Sequence, residues 1–162
     1  PVAIRYPRGG EGEYKAGGTA PATLLRQGGD VTLVCYGTEI NHVLRAAEML
    51  SRAGVEADVI KLGLIKPADM TLIERSVKKT GRIAVIEECA ASGCVGEEIL
   101  SLLMSAGICA RSALINLGDG FVPHGGVDEL LHEYGLDAQG IFKSVMSLKD
   151  TEEKNEKGMA AE

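Results

Sequence analysis

Short apolar segments alternate with helical patterns along most of the chain. Residues 83–86 form an unbroken apolar run, as expected of a strand that is buried on both faces of a parallel sheet. A loop of small residues follows, and a helix begins at about Val95, with Ile99, Leu102 and Leu103 on one side. The pattern predicts further strands within residues 22–27, 31–36, 57–62 and 108–117, the last centred on residues 113–117. It also predicts helices that contain residues 40–50 and 70–77, and helices at 127–134 and 137–148.

The alternation of strands and helices indicates one α/β domain. Residues 22–148 are expected to form a three-layer α/β/α sandwich around a mostly parallel five-stranded mixed sheet. Gly28-Gly29-Asp30 separates the first two predicted strands, and this composition is typical of a hairpin turn. The sequence therefore predicts that residues 22–27 form an edge strand, antiparallel to its neighbours and joined by a hairpin to residues 31–36.

The two ends of the chain differ from this region. Residues 1–6 read as an extended segment that Pro7 stops, and residues 10–21, rich in Gly, Glu and Lys, read as a linker. Residues 149–162 carry many charges and only one apolar side chain larger than Ala, which predicts a disordered, solvated tail. Because the chain opens on Pro1 in the middle of a strand-like pattern, we expect it to be part of a longer protein.

Composition narrows the function classes. The formal net charge of −6 argues against nucleic acid as the main partner, because phosphate binding relies on a surplus of Lys and Arg. No apolar run approaches the length of a membrane span, and no secretory signal is visible. The four cysteines are too few and too irregularly spaced for a disulfide scaffold, so a reducing cytoplasm is the simplest compartment.

Two motifs could be taken for metal sites. Gly118-Asp119-Gly120 follows a predicted strand, but Mg²⁺ needs several converging oxygen ligands and Asp119 alone cannot supply them. Cys89 and Cys94 lack the second pair of ligands that zinc requires. We therefore predict a tight turn at the first motif and a metal site at neither.

Arg8 and the pair Glu87 and Glu88 are candidate binding residues. Arg8 is preceded by Pro7 and followed by two glycines, and guanidinium groups bind phosphates well, although from the residues alone an exposed or carboxylate-paired arginine is the commoner case. Neighbouring residues in an extended segment point to opposite faces, so Glu87 and Glu88 are not a catalytic pair. One is expected to hydrogen-bond a loop or a helix N-terminus, and the other to face a partner subunit.

His124 lies in a Pro-Gly-rich loop, where functional residues are common. It has no neighbouring Ser or Cys to activate, and no set of nucleophile, base and orienting residue can be assembled from the sequence. We therefore predict no catalytic residue in this chain.

Several motifs, in order along the chain, resemble the C-terminal domain of the 1-deoxy-D-xylulose-5-phosphate synthase family, a branch of the transketolase family. Lys-Pro at 66–67 and Glu-Glu at 87–88 are shared by transketolase-type C-terminal domains generally. The synthase is indicated by Arg-Tyr-Pro-Arg-Gly at 5–9, Pro-His-Gly at 123–125 and Gly-Leu-Asp-Ala at 135–138. Weaker matches lie at residues 30–38, 85–86 and 115–118.

The resemblance implies a function for the parent enzyme. Such synthases are homodimers that use thiamine diphosphate and Mg²⁺ to condense pyruvate with D-glyceraldehyde 3-phosphate, with loss of CO₂. Their product feeds isoprenoid, thiamine and pyridoxal synthesis. The cofactor lies between two other domains, so this domain alone is expected to bind none and to be inactive.

The resemblance also implies roles for particular residues. Residues 1–9 match the end of the preceding pyrimidine-binding domain, and Arg8 matches the arginine that helps to hold the acceptor phosphate. Glu88 and His124 are expected on loops that face the dimer partner or the active site.

The chain departs from the family pattern at Cys89 and at Gly118-Asp119-Gly120, where the loop is shorter. Three alternatives therefore stay open at this stage: part of a split transketolase, part of a 2-oxoacid dehydrogenase β subunit, and a non-catalytic interaction or regulatory domain.

Overall fold

The computed structural model describes residues 1, 3, 10, 12–15 and 19–159, with side chains up to residue 149. Five strands make one sheet: β1 (Ala22–Arg26), β2 (Val31–Tyr36), β3 (Ala57–Leu62), β4 (Arg82–Ile86) and β5 (Arg111–Ile115). Their order across the sheet is β1-β3-β2-β4-β5. β1 is antiparallel to β3, and all other neighbours are parallel. The predicted mixed sheet with one antiparallel edge strand is therefore confirmed.

Helices cover both faces of the sheet. They are α1 (Ile40–Arg52), α2 (Met70–Thr80), α3 (Val95–Ser105), α4 (Val127–Glu133) and α5 (Ala138–Met159), and a short 3₁₀ turn (Gly37–Glu39) precedes α1. Alternate residues of β2 point to the two faces: Leu33 and Cys35 pack with α1, α4 and α5, whereas Val34 packs with α2 and α3. The three-layer α/β/α architecture is confirmed.

The predicted hairpin between the first two strands is wrong. β3 lies between β1 and β2, and residues 28–30 cross the start of β3. The Gly29 and Asp30 amides donate to the Glu56 carbonyl at 3.0 and 2.8 Å, and a Cβ at Gly28 would lie 2.4 Å from that oxygen. Glycine is needed at position 28 because the backbone of Glu56 passes so close. The observed order places β3, whose side chains are nearly all buried, inside the sheet with partners on both edges, and leaves the partly exposed β1 at the edge.

Two element boundaries differ from expectation. β5 covers residues 111–115, inside the predicted segment 108–117 but earlier than its predicted centre at 113–117. α5 continues beyond Leu148 to Met159, into the segment predicted to be a tail. That segment is rich in Lys and Glu, which are good helix formers, so helical backbone is compatible with its lack of apolar residues.

Candidate functional site

The order of strands reverses between β2 and β4. The chain passes from β2 to β3 on one side of the sheet and from β4 to β5 on the other. Sheets of this kind bind ligands beyond the carboxyl ends of the strands at such a reversal point. Here Tyr36 ends β2 and Glu87 follows β4, and the Tyr36 hydroxyl donates to Glu87 Oε2 at 3.2 Å. The two side chains bridge the crevice where a ligand would be expected.

Glu87 also holds the N-terminus of α3. It is buried, and its carboxylate accepts from the Val95 amide at 3.0 Å and from the Gly96 amide at 2.7 Å. The first amides of a helix lack intrahelical acceptors and carry partial positive charge, so they attract anions. Glu87 thus occupies the position in which α3 would otherwise bind a phosphate or carboxylate.

Gly96 makes this arrangement possible. A Cβ at that position would lie 2.5 Å from Leu114 Cδ2 and 2.9 Å from Glu87 Oε1. A side chain there would push the helix away from β5 and from the carboxylate. The sequence prediction that one of the two adjacent glutamates bonds a helix N-terminus is confirmed for Glu87, while Glu88 is exposed.

The groups around Glu87 stay protonated, and Tyr36 and Cys89 donate hydrogen bonds to its carboxylate. Burial and the neighbouring Glu87 carboxylate raise the pKa of Tyr36 above its usual value. Burial, with Glu87, raises the pKa of the Cys89 thiol to about 11, and burial also raises the pKa of Cys94. Cys89 Sγ lies 3.8 Å from Glu87 Oε2, so it donates a weak hydrogen bond. Because the thiolate is the nucleophilic form, neither cysteine is suited to nucleophilic catalysis at neutral pH.

Gly118-Asp119-Gly120 lies beside the loop that follows β4. Asp119 accepts from the Ser92 amide at 2.9 Å and from the Ser92 hydroxyl at 2.8 Å. These hydrogen bonds lower the pKa of Asp119. Two backbone bonds join the same loops, from Ala91 to the Gly118 carbonyl and from Leu117 to the Cys89 carbonyl. Within the described part of the chain, no three His, Cys, Asp or Glu side chains are grouped to hold a metal ion.

The remaining predicted site residues are dispersed. Glu88 and His124 are both exposed. Glu88 directly precedes residues 89–91, which the backbone bonds above join to residues 117–118. Phe121, Val122 and Val127 are exposed close to His124 in sequence, and Phe121 is fully accessible. Arg8 lies outside the described residues.

A second polar cluster lies at the opposite edge of the sheet. Asp58, at the start of β3, accepts from the Gly28 amide at 2.8 Å, the Ser76 hydroxyl at 2.5 Å and the Lys79 ammonium at 2.7 Å. Thr32 bonds Ser76 at 2.7 Å. Burial pushes the pKa of Asp58 upward, but the hydrogen bonds from Lys79, Ser76 and Gly28 outweigh it and hold that pKa below its usual value. Ser76 is buried and bound to a carboxylate, so the cluster fixes α2 on the sheet and offers no accessible nucleophile.

Tyr36 and the Asp58 cluster were not singled out from the sequence. Tyr36 carried a weak signal, since it is a polar aromatic residue at the end of an apolar strand and directly before Gly37.

None of the described helices is both long and apolar enough to cross a membrane.

Comparison with known proteins identifies the fold family. The family described as transketolase, C-terminal domain, matches residues 20–141, which include all five strands. The chain belongs to this family. Two curated proteins that are similar to this chain are 1-deoxy-D-xylulose-5-phosphate synthases. The protein of Heliobacterium modesticaldum is 36% identical over 94% of this chain and 24% of its own length. That of Gloeobacter violaceus is 36% identical over 94% of this chain and 25% of its own length.

The resemblance drawn from the motifs is confirmed by these relatives, of whose length the chain spans about a quarter. Among solved structures, a split-gene transketolase described as an inactive beta4 tetramer is 26% identical, with a TM-score of 0.72 over 88% of this chain and 46% of that one. A transketolase variant from Pichia stipitis is 16% identical, with a TM-score of 0.54 over 79% of this chain and 18% of that one, and shows the shared fold alone.

Proposed function

We propose that this chain is the C-terminal domain of a thiamine-diphosphate-dependent 1-deoxy-D-xylulose-5-phosphate synthase. The parent enzyme condenses pyruvate with D-glyceraldehyde 3-phosphate, releases CO₂, and works in the cytoplasm as a homodimer. Support comes from relatives of that name that match 94% of the chain at 36% identity. The product supplies isoprenoid, thiamine and pyridoxal precursor synthesis.

Within this proposal the parts of the chain have separate roles. Residues 1–9 end the preceding pyrimidine-binding domain, residues 10–21 form the linker, residues 22–148 form the domain proper, and residues 149–162 form a charged tail. Arg8 contacts the phosphate of the acceptor substrate. The other domains of the enzyme and a second subunit are the partners of this domain, and neither nucleic acid nor membrane is among them.

Glu88 and His124 face the active site or the dimer partner in this proposal. Both are exposed, and the exposed apolar residues Phe121, Val122 and Val127 belong to the loop of His124 or follow it directly. Apolar side chains grouped in one exposed loop region are typical of an interaction surface.

The described residues do not fit thiamine diphosphate or Mg²⁺. The α3 N-terminus, where a diphosphate would be expected, already binds Glu87, and Asp119, the residue of the Gly-Asp-Gly motif, already binds Ser92. We therefore assign both cofactor and metal to the other domains of the enzyme and derive no chemical step here.

The main support for assigning the chemical step to the other domains is the filled crevice between β2 and β4. Tyr36 and Glu87 occupy it, and burial together with the Glu87 carboxylate raises the pKa of the nearby Cys89 thiol, which keeps it in the less nucleophilic protonated form. The experiment compares the longer enzyme that contains this chain with the 162-residue chain alone. The longer enzyme is expected to release CO₂ from pyruvate when D-glyceraldehyde 3-phosphate is present. The chain alone is expected to show no turnover and no calorimetric binding of thiamine diphosphate with Mg²⁺; either activity would contradict the proposal.

A split transketolase is the second candidate, because a structural neighbour at 26% identity is described as a split-gene transketolase. The two functions differ in the fate of the donor. A transketolase moves a two-carbon unit from a ketose phosphate and releases no CO₂, whereas the synthase decarboxylates pyruvate. Turnover of a ketose phosphate without CO₂ would favour the second candidate.

A further inference from the structure

Residues 12–15 of the predicted linker are clamped on the domain. The Tyr14 amide donates to Asn41 Oδ1 at 2.8 Å, and Asn41 Nδ2 donates to the Thr38 carbonyl at 2.8 Å. Asn41 lies in the first turn of α1, so its second hydrogen bond is to the turn that precedes its own helix. The side-chain amide is therefore held at both ends and presents a fixed acceptor to the linker. We call residues 12–15 the strap.

The strap has further attachments on both sides of this hydrogen bond. Gly12 has φ of +74°, and a Cβ there would lie 2.6 Å from Asn41 Nδ2, so both the backbone conformation and the close approach require glycine. Tyr14 packs against the core beneath α1, and Lys61 Nζ lies 5.6 Å from the centre of its ring. Arg45 binds Glu13 at 2.8 Å.

These contacts constrain the chain that precedes the strap. A linker that merely crosses a surface needs none of three features seen here: a side-chain acceptor for one of its amides, a left-handed glycine against that acceptor, and a partly buried aromatic side chain packed on the core. Once residue 12 is fixed, the reach of earlier residues is limited by covalent geometry. A chain advances at most about 3.6 Å per residue, so the Cα of a residue four positions earlier lies within roughly 14 Å of the Gly12 Cα.

We propose that Asn41 is a positioning residue: by holding the strap on α1, it fixes the point from which the preceding chain leaves this domain, and so aligns the phosphate-binding arginine with the acceptor substrate. This inference rests on the proposed function, in which Arg8 binds the acceptor phosphate. Asn41 acts through the backbone of the strap and touches neither substrate. Its loss should weaken the use of the phosphorylated acceptor while the use of pyruvate changes little.

The test uses three variants in the longer enzyme that contains this chain. Asn41→Ala removes the acceptor for the Tyr14 amide, and Asn41→Asp keeps an acceptor oxygen but loses the donor to Thr38. Glu48→Ala is the matched control, because Glu48 lies two turns further along α1 and, like Asn41, lines the shallow groove between α1 and the strap. Hydrogen exchange of the Tyr14 amide reports on the clamp, and steady-state kinetics report on its consequence.

For Asn41→Ala we expect the Tyr14 amide to exchange roughly three- to tenfold faster, and the KM for D-glyceraldehyde 3-phosphate to rise by a similar factor, as for loss of one hydrogen bond. The kcat and the KM for pyruvate should change less than about twofold under the same reasoning. Asn41→Asp should lie between Asn41→Ala and the unmodified enzyme, and Glu48→Ala should match the unmodified enzyme.

Three results would overturn the inference. Unchanged exchange in Asn41→Ala would mean that there is no clamp. Faster exchange with an unchanged KM for the acceptor would mean that the strap has only a structural role, and equal effects on both substrates would mean general damage. Failure of the proposed function can be distinguished from these three results, because the unmodified enzyme would then not turn over these substrates. In that case the positioning role would be wrong as well.

Discussion

The Tyr36 hydroxyl reaches Glu87 Oε2 at 3.2 Å across the point where the strand order reverses. The same carboxylate binds the first amides of α3. A doubly wound sheet ordinarily leaves this crevice for a ligand. In this domain an internal carboxylate and a phenol fill it, so the edge that serves binding in related architectures serves packing here.

Replacement of Glu87 tests this packing role. In Glu87→Ala, the Val95 and Gly96 amides and the Tyr36 hydroxyl lose a common buried acceptor, and we expect the free energy of unfolding to fall by about 3 to 5 kcal/mol. Tyr36→Phe removes only one donor and should cost about 1 kcal/mol. Urea denaturation measures both values. Glu88→Ala, next in sequence but exposed, is the control and should change stability by less than about 0.5 kcal/mol.

Gly96→Ala should destabilise the domain although alanine favours helices. The added methyl group would overlap Leu114 Cδ2 at 2.5 Å and Glu87 Oε1 at 2.9 Å. Overpacking of this kind costs about 1 to 3 kcal/mol, more than the gain of about 1 kcal/mol from helix propensity. Gly120→Ala is the matched control in the neighbouring loop, since a Cβ there meets nothing within 4 Å. Equal denaturation midpoints for the two variants would contradict this account.

Acid should weaken the domain partly through Asp58. The pKa of this carboxyl is held below its usual value, so in the folded state it stays ionised after the unfolded chain has begun to take up its proton. Its contribution is present above the unfolded pKa of about 4 and is lost as the pH falls through the folded value. Asp58→Asn should therefore cost more stability at pH 7 than at pH 3, as measured by urea denaturation. The same cost at both pH values would rule out this linkage.

Asp119 should act as a clamp between loops and not as a metal ligand. In Asp119→Ala the Ser92 amide loses its acceptor, so hydrogen exchange in residues 90–93 should become faster. Addition of Mg²⁺ or Mn²⁺ should leave the melting temperature of the unmodified chain unchanged, because binding only to the folded state would raise it. A rise with either ion that disappears in Asp119→Ala would establish a metal site instead.

Under the proposed function, Arg8→Ala in the parent enzyme should affect the use of the acceptor substrate selectively. Removal of a guanidinium that binds a phosphate raises the KM for D-glyceraldehyde 3-phosphate, by roughly tenfold or more for a charge-assisted pair. The KM for pyruvate should change much less than the KM for D-glyceraldehyde 3-phosphate. Arg75→Ala, at an exposed position of α2, is the control. Equal effects of Arg8→Ala on both substrates would argue against the phosphate role.

Most elements could be predicted from local sequence, because apolar residues recur along a helix or a strand in a pattern characteristic of each. The apolar run of β4, the spacing of Ile99 and Leu103 on α3, and Gly81 after α2 depend only on residues within a few positions, and all three are seen in the structure. The antiparallel edge strand was also predicted, but its partner was not. Turn composition at residues 28–30 carries no information about a third strand that arrives some 30 residues later.

The sequence by itself determined the layered α/β class, the opposite orientation of two adjacent glutamates, and the family, because these depend on periodicity and on motifs that lie close together in the chain. Which of the two glutamates is buried had to come from the structure. Only the tertiary structure decided that β3 separates β1 from β2, that Tyr36 meets Glu87, and that Asn41 holds the strap. These contacts join residues that are 26 or more positions apart, and no local preference favours one distant partner over another.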